Sequence, residues 1–99
     1  DAAPVDAQTI MNASARYFGI SLEDLTGQSR VANIASARQI AMYLCRELTE
    51  LSLPKIGAQF GGRDHSTVLH AVRKIGEKIG VDRSLYTQVT ELTNQIKQS

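Results

Sequence analysis

An all-α fold, a compact bundle of about six helices, is predicted for this 99-residue chain by three observations. Apolar residues recur at helical spacing in every long segment, and no stretch alternates convincingly enough to propose a strand. Ser, Asp or Gly stands where nearly every helical pattern should begin or end. With 42% hydrophobic and 21% charged residues, the composition suits one soluble globular domain with a single core and is too short for two.

Taken in order, residues 1–7 read as a linker remnant and 8–99 as the domain. Asp6 can cap a first helix, with Ile10, Ala13 and Tyr17 on one apolar face, Met11 and Phe18 on the adjoining one, and Gly19 as C-cap. "SLED" at 21–24 offers Ser21 and Asp24 as a capping box for one short turn that Gly27 ends. "GQSRVANIA" reads as a loop. The strongest helix follows, with Ala37, Ile40, Ala41, Leu44, Leu48 and Leu51 on one continuous stripe, Ser36 and Gln39 as its capping box, and Arg38, Gln39 and Arg46 off the stripe. Ser52 caps a short helix that takes Pro54 in its first turn, where a missing N–H costs nothing, and Gly61-Gly62 ends it. A further helix starts near Asp64 with Val68, Ala71, Val72, Ile75 and Ile79 inward, while its outward face is polar and partly cationic. A last helix, opened by Asp82 or Ser84, aligns Leu85, Val89, Leu92 and Ile96, a stripe that fits core packing or, less simply, a docking face.

Several function classes drop out on composition. No apolar run approaches the roughly 18 residues of a membrane span, and the acidic start "DAAPVDAQ" lacks the design of a secretory signal, so a cytoplasmic location is expected. Cys45 is the single cysteine and sits on an apolar helical stripe, which favours packing over a disulfide or metal role. The formal net charge of +1 conceals an uneven distribution. Residues 1–29 set Arg16 against Asp1, Asp6, Glu23 and Asp24, whereas residues 30–78 hold eight cations against Glu47, Glu50, Asp64 and Glu77. That positive middle segment suits an anionic partner, nucleic acid or lipid headgroup.

The stretch "FGGRDHSTVLHAVRKI", residues 60–75, carries the chemistry. Asp64, His65 and Ser66 resemble a hydrolase triad on paper, but consecutive side chains on one helix diverge by about 100° and cannot form a relay. His65 and His70 are five residues apart, out of register for a shared metal, and no phosphate-binding loop of the GxxxxGK[ST] type is present. What remains is a helix-turn-helix: a short helix at about 53–60, a glycine turn, and a second helix from about 64 whose N-terminus can enter a major groove. There Asp64 can accept from a cytosine amino group and His65 can donate to thymine or guanine. Thr67 can set its methyl against a thymine methyl, and Ser66 adds a hydroxyl. The same residues also fit plainer roles, Asp64 as an N-cap and His65 and Thr67 as a solvated first turn, and capping and reading are compatible.

Residues 51–71, "LSLPKIGAQFGGRDHSTVLHA", resemble the signature of the C-terminal DNA-binding domain of the bacterial chromosomal replication initiator DnaA. "ARQIAMYLCREL" before it is similar to that domain's long helix, and the likeness runs with lower specificity from about residue 8 to the C-terminus. The resemblance implies an all-helical domain with a helix-turn-helix in a Trp-repressor-like arrangement, binding a TTATCCACA-like DnaA box in double-stranded DNA at the replication origin. It implies base contacts from Asp64, His65, Ser66 and Thr67 in the major groove and from Arg30 in the minor groove. Arg38, Gln39, Arg46, Pro54, His70 and Lys74 match positions that approach phosphates. The chain departs from the family in a loop poorer in cations, with Ala32 and Ser36 where a cation is common, and in Ser66, where Thr is frequent. No catalysis and no cofactor are expected of this domain, since ATP belongs to the family's ATPase domain. The expected partners are duplex DNA, the rest of the initiator chain and acidic phospholipids, with the isolated domain monomeric and nucleoid-associated.

Overall fold

Among the described residues, side-chain caps start five of the six helices. The computed structural model describes residues 5–98, with α1 at Ala7–Phe18, α2 at Leu22–Thr26, α3 at Ala32–Leu48, α4 at Leu53–Gln59, α5 at His65–Ile79 and α6 at Arg83–Lys97. Asp6 accepts from the Thr9 amide at 2.8 Å, Ser21 from Asp24 at 3.0 Å and Ser52 from Lys55 at 3.4 Å. Asp64 accepts from Ser66 at 3.1 Å, and Asp82, rather than Ser84, opens α6 by accepting from Leu85 at 3.0 Å. Each cap satisfies a donor that the helix itself leaves unpaired. Ala7, expected to close the linker remnant, is the first residue of α1 and is buried, while residues 1–4 of that remnant lie outside the described residues.

α3 departs from its expected limits. It begins at Ala32 behind Val31, which offers no side-chain cap, so four residues assigned to a loop are helical and the Ser36–Gln39 box does not open the helix. The reason is local: the Ala35 amide already bonds the Val31 carbonyl at 2.9 Å, the Ser29 hydroxyl accepts from the Val31 amide at 3.3 Å, and Ile34 and Ala35 are partly buried. At the other end α3 stops at Leu48, and Leu51 packs on the core from beyond the helix.

α3 is the central element, flanked by α1, α2 and α5, while α4 packs on α5 and α6 closes against α1. Ile10, Leu25, Ile40, Leu44, Ile56, Phe60, Val68 and Leu92 form the buried centre. Leu85, Leu92 and Ile96 of α6 are buried and Val89 packs against them, so core packing accounts for the whole α6 stripe. The Tyr17 hydroxyl donates to Glu91 at 2.8 Å and fastens α1 to α6. Cys45 is buried, and that burial pushes its thiol up to about 12, which leaves it protonated and inert. Among the described residues no helix is long and apolar enough to cross a membrane.

Candidate nucleic-acid interface

Two positive-φ glycines turn the chain from α4 into α5. Gly61 and Gly62 have φ of +79° and +76°, the left-handed region that glycine adopts without a Cβ penalty. Gly61 is constrained twice, because an added β-carbon would lie 2.3 Å from the Thr26 carbonyl oxygen at the end of α2. Gly57 inside α4 meets the turn just as closely: its β-carbon would fall 2.1 Å from the Arg63 carbonyl, and its own carbonyl accepts from the Arg63 amide at 2.9 Å. Phe60, the C-cap of α4, is fully buried in the core and anchors the turn to it. α4, this turn and α5 thus form one packed unit.

The first turn of α5 presents Asp64, His65, Ser66 and Thr67, all exposed. Val68, Ala71 and Ile75 are buried behind them and fix the helix's rotation. Asp64 caps the helix, and its carboxylate stands 3.5 Å from His65 Nδ1. Hydrogen bonding from the Ser66 hydroxyl and amide holds the Asp64 carboxyl below its ordinary range, helped by the positive charge that His65 can carry. The carboxylate retains lone pairs for a further donor, so capping leaves it able to accept another hydrogen bond.

A cleft between α3 and α5 runs beside that turn, lined by Arg38, Gln39, Arg63, Thr67, His70 and Lys74 among others. It brings together four of the residues expected to approach phosphate: Arg38, Gln39, His70 and Lys74. Arg46 and Pro54 are exposed elsewhere, Arg46 on the last turn of α3 donating to the Leu51 carbonyl at 3.3 Å and Pro54 in the first turn of α4. Arg30 is exposed in the loop between α2 and α3.

Arg38 differs from the surface residue that sequence reading expects. Only 7% exposed, it donates to the carbonyls of Leu25 at 2.9 Å, Ser29 at 3.0 Å and Asp24 at 2.7 Å. The physical cause is α2 itself: five residues long, it leaves its last carbonyls without helical partners, and a guanidinium fork is the side chain best shaped to fill them. Arg63, to which the sequence alone assigns no role, completes the set by donating to the carbonyls of Thr26 at 3.2 Å, Phe60 and Gly27. Burial lowers the pKa of both, and for Arg38 the like charge of Arg63 adds to it, though an arginine remains cationic at neutral pH. The signal for Arg63 lay in its neighbours, since a cation after two glycines in a tight turn sits beside free carbonyls.

The α4–turn–α5 unit, with a capped and polar first turn on its second helix, defines a helix-turn-helix domain. Residues 7–75 match the family described as bacterial dnaA protein helix-turn-helix, and the chain belongs to that family. It is 59% identical over 95 residues to the chromosomal replication initiator protein DnaA of Cutibacterium acnes, covering 96% of this chain and 19% of that protein. With the DnaA of Clavibacter sepedonicus it shares 60% over 97 residues, 98% of this chain and 20% of that protein. The chain therefore spans about a fifth of the length of these relatives. A crystal structure titled as a DNA replication initiation factor superposes with a TM-score of 0.79 at 32% identity, covering 93% of this chain and 29% of that one.

Proposed function

We propose that this chain is a sequence-specific double-stranded DNA-binding module that recognises a TTATCCACA-like DnaA box, with the first turn of α5 in the major groove and Arg30 in the adjacent minor groove. The observation that carries the reading is the set of four exposed, chemically diverse side chains on one capped helical turn beside a cationic cleft, in a chain of this family. Asp64 and His65 read base edges, while Gln39, His70 and Lys74 set the register on phosphates. An Arg in a narrow A·T-rich minor groove is favoured by the enhanced negative potential there. The module itself performs no catalysis and takes no cofactor. Its role is to tether the remainder of an initiator to its sites.

Fluorescence anisotropy on a duplex carrying TTATCCACA and on a scrambled duplex tests the proposal. Preference for the box by a factor of roughly 10³ or more is expected, and equal, salt-sensitive binding to both would refute it. Acidic vesicles, as a competing anion, should not distinguish Asp64 and His65 variants from wild type. Lys74→Ala is expected to weaken binding to both duplexes alike and to flatten the salt dependence by about one unit, as the loss of one phosphate contact requires. An unchanged slope would remove Lys74 from the backbone contacts.

A further inference from the structure

We infer that Arg38 and Arg63 are positioning residues that hold the Arg30 loop at a fixed setting against the helix-turn-helix, so that reading of the two grooves is coupled through the protein. The inference rests on the two-groove reading above and deepens it.

Arg30 follows Ser29 directly, and the Ser29 carbonyl is one of the three that Arg38 holds. Arg38 grips residues 24, 25 and 29 from α3, while Arg63 grips residues 26 and 27 from the turn that precedes the first residues of α5. Five carbonyls from Asp24 to Ser29 are thereby tied to two guanidinium groups, one rooted in α3 and one in the turn between α4 and α5. The Arg63 guanidinium also bonds the Phe60 carbonyl, and its residue immediately precedes Asp64, so the loop and the reading turn share one anchor. Gly61 adds a direct backbone approach to Thr26 at the same junction. Arg30 itself projects into solvent from this clamped segment. A planar, five-donor fork can hold several carbonyls in fixed geometry at once, whereas a lysine of equal charge cannot.

A double-mutant cycle separates this role from simple stabilisation and from phosphate contact. In the otherwise wild-type chain, Arg30→Ala is expected to lower affinity for the TTATCCACA duplex about tenfold or more. In the Arg63→Lys background, which keeps the charge and loosens the loop, the same Arg30→Ala change should cost less than about twofold. Arg38→Lys should act likewise. A full Arg30→Ala loss persisting in both lysine backgrounds would overturn the inference, since the loop would then reach its groove without the clamp. Failure of the underlying reading shows itself differently, as a wild-type chain with no preference for the box. A measurement independent of the variants' folding is the backbone order of Ser29 and Arg30 in the free wild-type chain. Order parameters near about 0.85, as in rigid helices, are expected, and values below about 0.6 would overturn the inference.

Discussion

Gly61→Ala is expected to destabilise the domain by about 3 kcal/mol. Two costs add at this position. A non-glycine residue must be held at φ +79°, and its β-carbon must displace the Thr26 carbonyl, a backbone atom 2.3 Å away that cannot swing aside as a side-chain tip can. Gly62 supplies the control within the same turn. Its φ is +76°, but nothing lies within 4 Å of its β-carbon, so Gly62→Ala carries only the conformational cost, about 1 kcal/mol. Thermal melts of the two variants should differ by about 8 °C or more for a chain of this size. Equal melting would mean that the turn does not press on the end of α2.

His65→Ala is expected to cost about 1–3 kcal/mol of affinity on the TTATCCACA duplex and almost nothing on a scrambled one. The side chain is exposed and holds no part of the core, so its removal leaves the fold intact. Equal losses on both duplexes would contradict base reading. Asp64 needs a different substitution, because its carboxylate caps α5 as well as belonging to the proposed reading turn. Asp64→Ser retains a good cap while shortening the reach, so it should keep the melting temperature and lose box preference, whereas Asp64→Ala should lose both. The depressed carboxyl of Asp64 sets the pH sense of the cap. Its stabilising effect is present above the ordinary carboxylate value and fades as pH falls through the lower folded value.

Much of this arrangement is legible in the sequence because helix starts carry their own side-chain acceptors. Asp6, Ser21, Ser52 and Asp64 each announce a helix by residue type and place, and the structure uses each one as read. α3 escaped that logic, since Val31 has no acceptor to offer and Ser36, which does, lies inside the helix. The polar first turn of α5 was legible for the same reason as its cap: the polar residues directly follow the glycine turn and precede the apolar stripe. Arg38 and Arg63 were not. Whether a guanidinium faces solvent or a row of carbonyls depends on where α2 ends in space, and that is settled by tertiary packing rather than by helical period.

The separation along the chain of the arginine bonds has a kinetic consequence. Arg38 reaches back 9 to 14 residues to its carbonyls, while Arg63 reaches back 36 and 37 to Gly27 and Thr26. Closing the longer loop costs about 0.9 kcal/mol more chain entropy, so the Arg38 bonds can form with α2 and α3 before the Arg63 bonds are in reach. Folding should therefore order the loop in two stages, with Arg38→Lys mainly slowing folding and Arg63→Lys mainly hastening unfolding in stopped-flow chevrons. The same rates in both variants would instead describe a loop that locks in a single step.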